Sequence, residues 1–530
     1  MTERLYLYDT TLRDGGQTHG VDFTTADKVA IAHMLDQLGI DYVEGGWPGA
    51  NPTDDGFFAN PPALAQAKLC AFGMTRRAGR SAANDPGVAA LFQSGTDAVT
   101  LVGKSSARQV ELALGVALDE NLRMIAESVA AACRRMPEVL FDAEHFFDGY
   151  LADPDYALAC LDAARRSGAR WIVLCDTNGG RLPHEIADVV ERVAGRIPPD
   201  QLGIHAHNDT ANAVANTLAA VRAGARQVQG TLNGLGERCG NANLIALIPT
   251  LMLKMGYATG VSETGLRHLT DMSRAVDERL NRIPDRHAAY VGACAFTHKA
   301  GLHASAVAKE PSSYEHVPPE VVGNRRHVAV SDQAGRANLL TRLGELGLEV
   351  PGESQLSELL GAVKEREANG YAYEGAEASF ELLARRALGQ VPDFFRLSSF
   401  RIIDERRYNA RNELVTLSEA TIKVEVGDAR RMIVAEGNGP VHALDTALRQ
   451  ALSPTYPALE HMHLADYKVR ILTPEAGTAA VTRVIIESAD DGGRRWSTVG
   501  VSTNVIDASY AALHDAITYK LFVDGAEAAP

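Results

Sequence analysis

The chain has 530 residues, 46% hydrophobic and 22% charged, an ordinary globular composition that excludes disorder as its main state. Lys and Arg number 52 against 67 Asp and Glu, a net charge of −15, which argues against non-specific binding to nucleic acid or to an anionic membrane. No apolar run approaches the roughly 18 residues of a membrane span. The opening MTERLYLYDTTLRDGG has no basic segment leading into an apolar one, so no signal peptide is expected and the chain reads as cytoplasmic. Six cysteines, Cys70, Cys133, Cys160, Cys175, Cys239 and Cys294, without a CxxC pair, point to reduced thiols, with neither a disulfide framework nor a thiolate zinc site.

In chain order, β-rich runs fall at Leu5–Leu12, Asp41–Trp47, Lys68–Met74, Ala98–Gly103, Val139–Phe147, Arg170–Thr177, Leu202–Asp209 and Gln227–Gly234. Helical segments lie between them. Thr25–Leu38 carries Val29, Ile31, Met34, Leu35 and Leu38 at helical spacing and ends at Gly39. Pro183–Arg196 opens on proline and keeps Ile186, Val189, Val190 and Val193 on one stripe. Asn241–Met255 follows the eighth run. Eight strand–helix units in about 250 residues predict a closed (β/α)₈ TIM barrel over residues 1–260. The rival, a doubly wound open sheet, ordinarily has fewer strands, and no GxGxxG follows the first strand here.

Beyond residue 256 the alternation stops. Residues 261–394 are read as a helical linker subdomain, through GRANLLTRLGELG and SELLGAVKEREANG. Its earlier part holds two candidate reactive side chains, His303 and Tyr314. From 395 to 525, runs such as EATIKVEV and AAVTRVIIESA alternate like half-buried strands. Two stretches there align at an offset of 64, bringing Arg430 onto Arg494 and Val441 onto Val505. This predicts a C-terminal α/β domain with an internal repeat. Gly437-Asn-Gly439 and Val499-Gly-Val501 are expected to be strand–helix turns of the two copies.

Barrel chemistry gathers where strands finish, and here the strand ends are polar. His205-Ala-His207 places two imidazoles on one side of a strand. With Asp14 after the first strand, they could hold one divalent metal and leave positions open for water and substrate. Asp209 is a candidate outer partner. Arg13 could stabilise an oxyanion or pair with Glu44. Thr177 could bind a carboxylate or merely form a turn with its Asp-Thr-Asn-Gly neighbours. Glu144 ends an apolar strand, where a carboxylate points to function. The glycine-rich loop after Asn233 could cradle a phosphate or bring Asn241 to the metal.

Three segments carry a resemblance. Asp9-Thr-Thr-Leu-Arg-Asp-Gly-Gly-Gln17, His205-Ala-His207-Asn-Asp209 and Gly234-Leu-Gly-Glu-Arg-Cys-Gly-Asn-Ala242 look like the signatures of the metal-dependent acyl-CoA-condensing barrels. That family comprises 2-isopropylmalate, homocitrate and citramalate synthases and, more distantly, hydroxymethylglutaryl-CoA lyase. The tail resembles the regulatory dimerisation domain of the synthases. VEGGWPGANPTD, FGMTRR and FDAEHFFDGY most resemble the longer (R)-citramalate-forming members.

The resemblance implies a divalent metal (Mg, Mn or Zn) on Asp14, His205, His207 and Asn241. It implies Arg13 and Gln17 at the 2-oxo group, Thr177 at the acceptor carboxylate, Glu144 in acid–base chemistry, and His303 with Tyr314 deprotonating acetyl-CoA. The implied reaction joins acetyl-CoA to a 2-oxo acid, pyruvate in the first instance, giving (R)-citramalate and CoA at the start of isoleucine synthesis. A larger acceptor, as in 2-isopropylmalate or homocitrate synthesis, is the alternative. A carbon–carbon lyase is disfavoured by the C-terminal domain, and a non-catalytic amino-acid sensor by the intact reactive set. A homodimer and an amino-acid feedback inhibitor are further implied, with no nucleic-acid or membrane partner.

Overall fold

The computed structural model describes residues 3–298, 301–328, 336–348, 352–373, 375–408 and 410–530. The chain divides into two compact units, Met1–Phe296 with Val317–Arg326, and Thr297–His316 with His327–Pro530.

In the first unit the eight expected strands are present: β1 (Tyr6–Asp9), β2 (Tyr42–Gly46), β3 (Lys68–Met74), β4 (Ala98–Lys104), β5 (Glu138–Glu144), β6 (Trp171–Asp176), β7 (Leu202–Ala206) and β8 (Gln227–Gly230). They close in sequence order into one barrel, β8 pairing parallel with β1 from Tyr6–Gln227 to Asp9–Gly230. Alternate residues point inward, so Tyr8, Tyr42, Cys70, Leu140, Trp171 and Val173 form a small buried cluster of their own. The other face of the strands packs against helix stripes such as Ile31, Leu35 and Leu38 in a much larger core. Helix Thr25–Leu38 has the predicted bounds. Thr24 accepts from the Asp27 amide and Asp27 accepts from the Thr24 amide, a reciprocal cap of the kind worth about 1 kcal/mol.

Several strands stop earlier than their runs, among them β1, which ends at Asp9 and not Leu12. The fifth was expected to reach Phe147, but β5 ends at Glu144 and Phe146–Ala152 is a helix. His145, at φ 59°, turns the chain there, and Phe146 meets Phe147 edge-on and Tyr150 at a tilt in the core. β7 ends at Ala206 and β8 at Gly230. After β8 the helix is delayed to Leu244–Pro249 and continues as a wider turn over Thr250–Lys254.

The second unit contains helices Arg336–Glu345, Glu353–Ala368 and Glu377–Ala387. The predicted repeat follows as two copies of three antiparallel strands and a helix. The first has strands Arg396–Tyr408, Leu414–Val426 and Ala429–Gly437 with helix Pro440–Leu452. The second has strands Met462–Ile471, Thr482–Asp490 and Arg495–Ser502 with helix Val505–Val523. Gly437-Asn-Gly439 does lead into a helix. Val499-Gly-Val501 does not form a turn: it lies inside the strand Arg495–Ser502, and Asn504 caps the helix instead, accepting from the Ile506 amide. The reason is packing. A Cβ built on Gly500 would lie 2.0 Å from the Ala508 carbonyl oxygen and 2.9 Å from the Ala512 amide nitrogen, so this glycine lets the helix lie on the strand.

Among the described residues no helix is long and apolar enough to cross a membrane, and the six cysteines form no disulfide. Gly500→Ala should destabilise the second unit by roughly 1–3 kcal/mol, whereas Gly439→Ala, with nothing within 4 Å of its Cβ, should be nearly neutral. Equal urea midpoints for the two variants would show that strand and helix can part without cost.

Candidate active site

Asp14 follows β1 and precedes a single turn, Gly15–Gln17. His205 lies on β7, and His207 just beyond it forms a bridge with Asn241 in the loop after β8. The Asp14 Oδ2 atom is 3.5 Å from His205 Nε2 and 3.8 Å from His207 Nε2. The three donor atoms lie within 4.8 Å of one another, and all three residues are buried.

The far side of each ring assigns its tautomer. His205 Nδ1 is 2.8 Å from Gln229 Oε1, and Gln229 Nε2 donates to Asp142 Oδ1 at 3.1 Å. His207 Nδ1 is 3.3 Å from the Asp176 carbonyl oxygen, which can only accept. Both Nδ1 atoms therefore carry hydrogen, and both Nε2 lone pairs face the Asp14 carboxylate. Burial lowers the pKa of both imidazoles, that of His207 to about 4 with help from His205, so both are neutral near pH 7. Burial alone would raise the Asp14 pKa, but Arg13 and the two histidines bring it below the ordinary value.

Asn241 donates through Nδ2 to the Leu235 carbonyl, and its Oδ1 is buried without a protein partner. Gly236, at φ 153°, permits this approach: a Cβ there would sit 2.1 Å from Asn241 Nδ2. Two imidazole lone pairs, a carboxylate and an orphaned amide oxygen match the donor set of a divalent cation.

Arg13 realises both of its sequence readings. Its Nε donates to Glu44 Oε1 at 2.6 Å, its Nη1 is 3.5 Å from Asp14 Oδ2, and its guanidinium lies 4.0 Å from the Phe72 ring centroid. Glu44 is fully buried and also accepts from the Tyr8 hydroxyl at 2.7 Å. Burial opposes the charge on Arg13, but Glu44 and Asp14 raise its pKa above the ordinary value and keep it charged.

Glu144 ends β5 with Lys104 Nζ 2.6 Å from its Oε2. The Thr177 hydroxyl oxygen accepts from the His145 amide at 2.7 Å, leaving its own hydrogen to donate. A cavity of about 260 Å³ brings together Arg13, Asp14, Gln17, Glu144, Thr177, His205 and His207. His303 and Tyr314 belong to the second unit, where their rings stack at 4.2 Å and both are exposed.

Asp209 is not the outer partner of a histidine. It forms a two-point pair with Arg238, at 2.7 and 2.9 Å, and Arg238 also donates to the Thr177 carbonyl. Gln229 and the Asp176 carbonyl take the role expected of it. Gln227-Val-Gln229, which puts two amides on the inward face of a strand, is the sequence signal for this role. Lys104, just beyond the run Ala98–Gly103, and Asp142, inside Val139–Phe147, are visible in the sequence, but their pairing across β4, β5 and β8 has no local trace.

An eight-stranded parallel barrel with this donor cluster at the C-terminal mouth defines a (β/α)₈ protein equipped to bind a divalent cation and an anionic small molecule. Family models match along the chain: HMGL-like over residues 4–276, homocitrate synthase post-HMGL domain-like over 290–370, and LeuA allosteric (dimerisation) domain over 374–521. The (R)-citramalate synthase of Aquifex aeolicus is 50% identical, covering 99% of this chain and 99% of that protein. That of Geobacter sulfurreducens is 50% identical over 97% of each, and that of Streptomyces coelicolor 49% over 99% and 98%. The chain belongs to the HMGL-like family, in agreement with the resemblance read from its three motifs.

One titration tests the buried network. Burial, with Glu44 adding, raises the Asp142 pKa from 3.8 to about 8. The folded protein then holds a proton that the unfolded chain releases near pH 4, so this group's contribution is full below about pH 4 and is lost as pH rises through about 8. Asn keeps the uncharged shape. In metal-stripped protein, the thermal stability of Asp142→Asn relative to wild type should therefore rise between about pH 5 and pH 8 and level off above. A flat difference would mean that Asp142 is ionised in the fold.

Proposed function

We propose that this protein is an acyltransferase that condenses acetyl-CoA with pyruvate to give (R)-citramalate and CoA. The observation that carries this is 42–50% identity, over 97–99% of the chain, to five proteins that are (R)-citramalate synthases. Three working parts are assigned: a catalytic barrel (1–260), a linker that contributes His303 and Tyr314 (261–394), and a regulatory and dimerisation domain (395–525).

Asp14, His205, His207 and Asn241 would hold a divalent metal, Mg²⁺, Mn²⁺ or Zn²⁺, which when bound supplies Lewis-acid polarisation of a ketone. The remaining steps fall to the chain. Arg13, held in plane by Glu44, donates to the ketone oxygen as negative charge develops on it. The free Thr177 hydroxyl hydrogen donates to the acceptor carboxylate, and Gln17 lines the same cavity. His303, in contact with Tyr314, removes a proton from the acetyl methyl group. The resulting enolate carbon bonds to the ketone carbon, and Glu144, paired with Lys104, takes part in proton transfer at the new hydroxyl. Water then cleaves the thioester, CoA leaves as the thiol, and the condensation becomes irreversible.

CoA-thiol release from acetyl-CoA should be fastest with pyruvate in a panel that includes 2-oxoisovalerate and 2-oxoglutarate. Preference for either of those would move the reaction to the 2-isopropylmalate or homocitrate type. Asp14→Ala, His205→Ala and His207→Ala should each lose bound metal and at least about 100-fold in kcat together. A metal-replete, fully active His207→Ala enzyme would exclude this ligand set.

The tail is assigned as a homodimerising regulatory domain, and the reaction as an early, cytoplasmic step towards isoleucine. Large apolar side chains exposed on its strands, among them Met432, Val434, Val469 and Ile471, support self-association. A cavity of about 370 Å³ within it is lined by Val441, Asp445, Arg449, Leu464, Tyr467 and Leu513. Asp445 Oδ2 accepts from Arg449 Nε at 2.8 Å, while its buried Oδ1 has no protein partner. An unpartnered carboxylate oxygen beside an apolar wall suits the ammonium group and side chain of a branched-chain amino acid. Isoleucine should inhibit more strongly than leucine or valine, and Asp445→Asn should weaken that inhibition while leaving uninhibited turnover intact. Insensitivity to all three amino acids would leave the tail a dimerisation module.

A further inference from the structure

The mouth of the barrel is chemically divided. Charged and donor groups stand on β1, around β6 to β8 and, as Lys104, Asp142 and Glu144, on β4 and β5, whereas Phe72 and Met74 on β3 and Val102 on β4 form one apolar patch. In a closed ring of eight strands β3 lies four strands from β7, directly across the mouth from His205. A 2-oxo acid whose carboxylate and ketone are held by Thr177 and Arg13 directs its alkyl group at this apolar patch.

Two parts of that apolar wall are held in place. The Phe72 face is covered by the Arg13 guanidinium at 4.0 Å and meets the Trp47 ring edge-on at 5.7 Å. Val102 pairs with Met74 in the β3–β4 ladder and is buried. Met74, at the last position of β3, is unbranched, only half-buried and free to change rotamer.

Behind it lies a second cavity of about 550 Å³. Met74 and Trp47 line both cavities. Trp47 is anchored by its backbone, its amide donating to Asp54 Oδ2 at 2.9 Å. The second cavity is largely apolar, with Ala50, Ala90, Leu114, Val116 and Met124 on its walls. Arg76, Arg77 and Asp85 also line it, but the Arg76 guanidinium is occupied by Glu127 at 2.6 Å and Glu120 at 2.9 Å, and the Asp85 carboxylate accepts from the Arg77, Gly87 and Val88 amides. The space therefore suits an alkyl chain.

We propose that Met74 is the acceptor-length filter of the condensing site, and that the cavity behind it is a latent pocket for the alkyl chain of a longer straight-chain 2-oxo acid. The inference rests on the condensing activity proposed above. The bonds made and broken are unchanged: the acetyl carbon joins the ketone carbon and water cleaves the thioester. Only the fit of the acceptor substituent differs.

The experiment measures kcat/KM by thiol release with pyruvate, 2-oxobutanoate, 2-oxopentanoate and 2-oxohexanoate. Wild type should lose activity with each added carbon. Met74→Ala should raise the 2-oxohexanoate-to-pyruvate ratio by at least about tenfold, the scale of a change of one or two methylenes in an apolar pocket. Ala90→Phe, which fills the second cavity from its outer wall, should leave pyruvate turnover unchanged alone and return the ratio towards wild type when combined with Met74→Ala. If Met74→Ala fails to fold, Met74→Val, which also shortens the partition, replaces it. An unchanged ratio in the folded variant, or a raised ratio that Ala90→Phe does not reverse, overturns the proposal. Absence of thiol release by wild type with every acceptor would instead overturn the condensing activity itself.

Discussion

The mouth of the barrel holds too little positive charge for the electron pairs that meet there. Asp14 and Glu44 bring two carboxylates, and His205 and His207 bring two Nε2 lone pairs whose protons have been committed to the far side of each ring. Arg13 is in contact with both carboxylates. Burial keeps water from relieving the imbalance and lowers the pKa of both imidazoles, so protonation does not relieve it near neutral pH. A divalent cation would, and the orphaned Asn241 oxygen beside the histidines adds a fourth donor.

That constraint propagates downward through the barrel. Gln229 keeps its carbonyl oxygen towards His205 because its amide nitrogen is spent on Asp142. Glu44 keeps Arg13 in plane because its second oxygen is taken by Tyr8, whose hydroxyl also meets Thr100 at 2.6 Å. The interior of the strands is thus a polar layer over the apolar cluster of Tyr42, Leu140, Trp171 and Val173. Side chains from β1, β2, β4, β5, β7 and β8 contribute to it, so a change in any of these strands reaches the cation site through a short chain of contacts, the longest running from Thr100 through Tyr8, Glu44 and Arg13 to Asp14. Groups fixed in this way need little reorganisation when charge develops on a bound ketone.

The second unit is built on a different economy. Its two copies each bury one face of a three-stranded sheet against a helix, with Ala443, Leu444, Ala447 and Leu448 in one copy and Ala508, Ala512 and Leu513 in the other. Small residues at the contact allow close approach, and Gly500 is the extreme case. The cavity containing Asp445 takes its walls from both copies, so a ligand there would sense their relative position.

Much of this was legible in the chain. The strand–helix count led to the barrel, the two-residue spacing of His205 and His207 led to a shared face, and the offset of 64 between Arg430 and Arg494 led to the repeat. These are local or periodic signals, set by backbone geometry that every residue in the run shares. Where strands end was less legible, because Phe146 and Phe147 suit either a strand or a helix, and the left-handed turn at His145 decided between them. Pairings between distant strands were not legible: Asp209 with Arg238 rather than a histidine, Gln229 beneath His205, Lys104 on Glu144, and Met74 shared by two cavities. Sequence determined which chemical groups would reach the barrel mouth, because strand direction and period do so. Only the closure of the barrel decided which of them touch, because contacts across a ring depend on register and tilt, to which residues hundreds of positions apart contribute together.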